Sequence, residues 1–192
     1  LEAGWYIMQE ITPPEGYAIM GNGLTPVQVT ANTINSSTYV IENVEKVPLT
    51  INKVGTIQNT EGNVVNTEQL AGAVFEIYDS NAEGAKLIAT VETYLDGSGN
   101  SVSGIRQENG SHETLYLAPG IYYYKEVQAP EGYEIMDRDL HEFNLTSDHT
   151  TVTVTNSADF GEILIKKVDS KDPSKGLTGA VFGVYSDQDC TT

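Results

Sequence analysis

YYYKEVQAPEGYEIM, residues 122–136, runs a strand-like set of tyrosines into a glutamate and then a Pro-Glu-Gly-Tyr turn. The same arrangement stands 116 residues earlier as YIMQEITPPEGYAIM (6–20). Working outward, ILIKKVD (163–169) matches LTINKVG (49–55), and LTGAVFGVYS (177–186) matches LAGAVFEIYD (70–79). The strand ends TYVIENV (38–44) and VTVTNSA (152–158) also correspond. Asn43 to Asn156 is 113 residues and Lys53 to Lys167 is 114, so three markers give one period. A fixed period signals a repeated structural unit. One repeat, about 47–157, is therefore whole. Residues 1–46 read as the back part of a preceding copy and 158–192 as the front part of a following one. The copies abut with few residues between them, which suggests a stiff row rather than beads on a flexible string.

Aligned on the whole unit, Leu1 falls at Leu117 and Thr192 near Ala85-Lys86, so the end pieces together lack about thirty residues of a unit. Neither piece is expected to fold alone at this size. The chain reads as a fragment of a longer tandem array; pairing of the two ends, within or between chains, is the other arrangement.

The local pattern is all-β. Short runs rich in Val, Ile, Thr and Tyr are broken by Gly, Asn, Asp and Pro at hairpin spacing. Strands are expected near 48–54, 72–78, 87–94, 113–117, 120–127, 139–145 and 150–156. No stretch carries a long helical apolar period. Seven short strands in such a unit fit a β-sandwich, so the chain reads as tandem Ig-like sandwich domains, one complete and two partial.

Composition narrows the function. Of 192 residues, 27 are acidic and 10 basic, for a formal charge of −17, and 39% are hydrophobic. That apolar content is too high for disorder. The acid excess argues against nucleic acid, which needs clustered Lys and Arg. No apolar run is long enough to span a membrane, and no signal peptide is visible. The single cysteine, Cys190, excludes an internal disulfide framework and reads as a lone strand-edge thiol. His112, His141 and His149 form no metal-binding or hydrolytic motif, and no nucleophile elbow or phosphate loop is present. Asp96, Ser98 and Asn100 faintly suggest a calcium loop but lack its closing glutamate, so a hairpin loop is expected and no metal or cofactor is assigned.

Strand parity exposes a conflict with burial. Leu49, Ile51 and Lys53 share a face, as do Ile163, Ile165 and Lys167. Tyr122, Tyr124 and Glu126 share another, and Val152, Val154 and Asn156 a third. The preceding copy repeats this with Tyr6, Met8 and Glu10, then Tyr39, Ile41 and Asn43. Each complete set thus places a Lys, a Glu and an Asn on apolar faces. A buried Lys–Glu ion pair with Asn as an extra partner is one account, at a desolvation cost. Fraying of the strand ends into solvent is a second. The third is chemical: a desolvated amine loses its proton, a desolvated carboxyl keeps one, and an Asn carboxamide can be attacked with ammonia leaving. The product is an amide between Lys53 and Asn156, formed once.

At these residues the chain resembles the Cna-protein B-type domains and SpaA-like pilins of Gram-positive surface proteins. The resemblance is carried by INKVG and IKKVD around the first-strand lysine and by LAGAVFEIYD and LTGAVFGVYS. It is carried further by the glutamate box YYYKEVQAPEGY (122–133), with a less typical copy at 6–17. It implies a spontaneous isopeptide bond with Lys53 as amine, Asn156 as acyl donor and Glu126 as proton relay. Glu10 takes the relay role in the first repeat, and Asn43 and Lys167 are half-sites whose partners lie outside the chain. Gly55 departs from the family pattern, since the third copy has Asp169 there.

The implied function is a structural stalk or backbone module of an adhesin or pilus on a Gram-positive cell surface. It is not a turnover enzyme, and its partners are neighbouring repeats or other fibre subunits. The alternative is a ligand-binding adhesin domain for a host matrix protein or glycan, using tyrosines such as Tyr123, or an insertion within 80–115.

Overall fold

Apolar and β-branched side chains at alternate positions extend Val47–Gln58 into the longest strand among the described residues, and the fold is organised around it. The computed structural model describes residues 1–31, 38–59, 61–158 and 165–185. By contacts these fall into two units, Leu1–Asp159 and Phe160–Thr192. All regular elements among the described residues are strands, as the sequence pattern predicts.

Four short strands come first: β1 (Gly4–Gln9), β2 (Tyr17–Ile19), β3 (Leu24–Val29) and β4 (Asn43–Glu45). The long strand is β5. It is followed by β6 (Val64–Gln69), β7 (Val74–Tyr78), β8 (Leu87–Leu95), β9 (Ser101–Arg106) and β10 (His112–Glu113). The last four are β11 (Leu115–Leu117), β12 (Gly120–Gln128), β13 (His141–Leu145) and β14 (Thr151–Ser157).

Two sheets are built from residues 47–157. One has the order β10-β9-β8-β7-β12-β13 with antiparallel neighbours throughout. In the other, β14 lies parallel to β5, pairing Thr151–Ser157 with Thr50–Thr56. β11 and β6 pair antiparallel with the two ends of β5, at Val47–Leu49 and Val54–Gln58. The inner faces meet in one core of Leu49, Ile51, Ala73, Phe75, Ile77, Val91, Leu115, Leu117 and Leu145. Parity decides this core: Leu49 and Ile51 point in from β5, and Phe75 and Ile77 from β7.

Two strands depart from the expected set. β6 carries VVNTEQ with all six residues exposed, so it shows no inward–outward alternation to read. β9 lies within 80–115, the stretch that offered room for an insertion under the ligand-binding alternative. Its inward residues Ser101 and Ser103 are buried but polar, which hides its period. The Asp96–Asn100 turn between β8 and β9 is a hairpin loop, as expected. Asp96 Oδ1 accepts from the backbone N–H groups of Ser98 and Asn100, and those bonds hold its carboxyl below the usual carboxylate range.

In residues 1–46, β1 pairs with β3 and β2 with β4, each as an isolated antiparallel pair. They correspond in sequence to β12, β13, the Pro-Glu-Gly-Tyr turn and the end of β14. Among the described residues no second sheet covers them, and Trp5, Ile7, Val40 and Ile41 are exposed. Tyr6 and Glu10 are half-buried, whereas Met8 and Tyr39, expected on an apolar face, are exposed.

In the second unit the described residues 165–185 form no strand, only a bridge between Val168 and Gly176. The first-strand copy expected there is thus not formed over its described part. Ile165 and Lys167 are exposed rather than on a buried face. Ile163 and Cys190 lie outside the described residues.

Candidate functional site

Three polar side chains break the apolar interior of the whole unit at one point. Lys53 is 0% exposed, Asn156 1% and Glu126 3%. Lys53 and Asn156 come from the parallel β5–β14 pair, where Lys53 sits opposite Val154 and Asn156 opposite Gly55. They are diagonal neighbours on the inner face. Glu126 reaches them from the other sheet, at a bulge where the pairing of β12 with β7 shifts between Glu126 and Gln128. Bulges re-aim side chains in this way.

The glutamate bridges the other two. Lys53 Nζ lies 3.1 Å from Glu126 Oε2, and Asn156 Nδ2 donates to Glu126 Oε1 at 2.8 Å. The Lys53 amine also stands 5.7 Å from the ring centre of Phe75. Burial pushes the Lys53 amine below its ordinary value, while the neighbouring Glu126 acts in the opposite sense. Asn156 Oδ1 is buried and accepts no hydrogen bond. Glu126 thus meets the carboxamide through its nitrogen.

Two further features adjoin the site. Tyr133, from the Pro-Glu-Gly-Tyr turn, lays its ring over Gly55; a Cβ there would stand 2.5 Å from the ring. The Tyr133 hydroxyl bonds to Glu68 on β6, and burial, helped by that bond, pushes its pKa to about 12. The departure at Gly55 is therefore filled by the turn's own tyrosine. Next, a cleft of about 200 Å³ opens beside Glu126 and Asn156 between the edge strands β13 and β14, with Met136, Asp137 and His141 along it. Among the described residues no cluster of side chains could hold a metal ion.

Residues 1–46 repeat half of this geometry. Asn43 Nδ2 donates to Glu10 Oε1 at 2.8 Å, and Asn43 Oδ1 is likewise buried without a partner. The structure thus brings Lys53, Glu126 and Asn156 together, and Glu10 with Asn43; Lys167 lies in the exposed segment of the second unit. Tyr123, the candidate recognition aromatic, donates its hydroxyl to Glu142 at 2.7 Å. Sequence reasoning missed the contributions of Ser101 and Ser103. Their spacing of two was the available signal, masked by their polarity.

A two-sheet all-β domain with a Lys–Glu–Asn set buried between its sheets defines a narrow class. The sequence model of the SpaA prealbumin-like fold domain matches residues 48–158. The chain belongs to that family. Among solved structures it is similar to a streptococcal ancillary pilin, at 23% identity and a TM-score of 0.44, over 82% of this chain and 43% of that one. It is also similar to GBS52, the minor pilin of Streptococcus agalactiae, at 18% identity and a TM-score of 0.38, over 88% and 65%. The shaft pilin SpaA of Lactobacillus rhamnosus GG is similar at 18% identity and a TM-score of 0.34, over 84% and 64%. The chain spans less than two thirds of the length of each. No curated protein matches it.

Proposed function

We propose that the whole unit is a force-bearing structural module of a Gram-positive surface fibre, a pilus or adhesin stalk, closed by a Lys53–Asn156 amide that it forms itself. One observation carries this reading. Three buried polar side chains converge with the glutamate between amine and amide, at 3.1 Å and 2.8 Å. As a mere buried ion pair such a set would be a poor use of core space.

Each residue has a chemical task. Burial favours the neutral amine, so a proton passes from Nζ to Glu126 and the amine becomes a nucleophile. Nζ bonds to Cγ of Asn156 as the Cγ–Nδ2 bond breaks. Of the three ammonium protons one stays on the new amide. Two pass through Glu126 to Nδ2, which leaves as ammonium, and Glu126 ends ionised as it began. The contact of Glu126 with Nδ2 suits delivery of those protons. No oxidant, cofactor or second protein is required. By the same reading Glu10 is the relay and Asn43 the acyl donor of the first repeat, and Lys167 is the amine of the third.

Intact-mass measurement tests the bond. The parent protein should lack one ammonia relative to its sequence, and Lys53→Ala, Glu126→Ala and Asn156→Ala should each show the full mass. A parent of unmodified mass would overturn the assignment.

A further inference from the structure

The ladder on the far edge of β5 opens at the lysine. β6 is paired with β5 from Val54 onward, and Leu70 N–H continues the ladder by donating to Lys53 C=O at 2.8 Å. In an unbroken antiparallel ladder the reciprocal bond would run from Lys53 N–H to Leu70 C=O. Here the Ser101 hydroxyl is inserted between them. Lys53 N–H donates to Ser101 Oγ at 2.9 Å, and Ser101 Oγ donates to Leu70 C=O at 2.7 Å. Ser101 is itself held, its N–H donating to Gln69 Oε1 at 3.0 Å. Two residues along, Ile51 N–H donates to Ser103 Oγ at 2.8 Å.

Ser101 belongs to β9, in the sheet that carries Glu126. The inserted hydroxyl therefore ties the backbone of Lys53 to the opposite sheet, at the residue whose side chain must meet that sheet's carboxylate. The three site residues come from both sheets, so the separation of the sheets at Lys53 sets the reach of Nζ. Buried donors and acceptors are rarely left unpaired, so loss of this hydroxyl would force Lys53 N–H and Leu70 C=O to rearrange.

We propose that Ser101 is a positioning residue for Lys53, fixing through its hydroxyl the sheet-to-sheet distance at which amine, carboxylate and carboxamide react; this rests on the amide-forming reading above. Ser103, also buried, accepts from Ile51 N–H on the same strand and serves as the internal control, because it ties β9 to β5 without touching the lysine.

The test follows refolding of the full chain from denaturant, with ammonia loss timed by intact mass. Ser101→Ala should slow bond formation about tenfold or more, because small misplacements of reacting groups are costly, while Ser103→Ala stays within about twofold of the parent. Ser101→Thr, which keeps the hydroxyl, should restore the rate. If Ser101→Ala does not fold, Ser101→Cys, of similar size with a weak donor, is read the same way. Equal slowing by the two serine variants, or none by either, would overturn the proposal. A second readout does not need the reaction. In an Asn156→Ala background the Nζ resonance of Lys53 should titrate differently when Ser101→Ala is added and unchanged when Ser103→Ala is added; the reverse pattern overturns the proposal. A parent that never loses ammonia thus counts against the amide alone, while the titration still decides the role of Ser101.

Discussion

Gly55 bears no side chain on the inner face it shares with Lys53 and Ile51, and the Tyr133 ring takes up that room. A methyl at this position would stand 2.5 Å from the ring's Cζ and Oη, so the tyrosine must swing away from its bond to Glu68. Gly55→Ala should destabilise the unit by about 1–3 kcal/mol, read from the urea midpoint. Tyr133 has its own pH signature. Its folded pKa, about 12, lies above the ordinary 10.0, so its protonated form is favoured by folding. That contribution is complete below pH 10 and is lost as pH rises from 10 to 12. Unfolding free energies across that range should show a falling component in the parent that is missing in Tyr133→Phe; an identical slope in both would refute it.

The elements explain why some of this was legible beforehand. β5, β12 and β14 each alternate apolar residues with a single polar intruder at a fixed place, and parity alone put Lys53, Glu126 and Asn156 inside. The bulge after Glu126 was not legible, since it depends on pairing with β7 rather than on β12 itself. β9 was missed because serines stand at its inward positions, and their purpose appears only when β5 lies against them. In residues 165–185 the sequence pattern of β5 recurs in part, but these residues form no strand, since a strand needs a neighbour to pair with. Side-chain direction in a strand is set by position, which permits a test without removing any chemistry. One alanine inserted between Ile51 and Asn52 keeps every reactive group but turns Lys53 to the outer face. The inserted variant should retain its full, unmodified mass under conditions in which the parent loses ammonia.

At the scale of the molecule, Lys53 and Asn156 lie near the two ends of the whole unit, about a hundred residues apart. A covalent link across so long a loop destabilises the unfolded chain by roughly 4–5 kcal/mol on the loop-closure argument. Asn156→Ala should lose at least that much in denaturant unfolding, and a variant as stable as the parent would remove the bond's structural role. The formal charge of −17 fits a solvated exterior.

The direction of β14 relative to β5 has a mechanical consequence. Because the two strands run the same way, the chain comes in at one pole of the domain and departs at the opposite one. Copies joined in this manner would thread end to end, and a pull on the thread would slide β5 along β14. The rungs from Thr50 to Thr56 would then resist in shear together, rather than unzipping singly. An amide from Lys53 to Asn156 would carry the tug straight across, leaving the hundred residues between them slack.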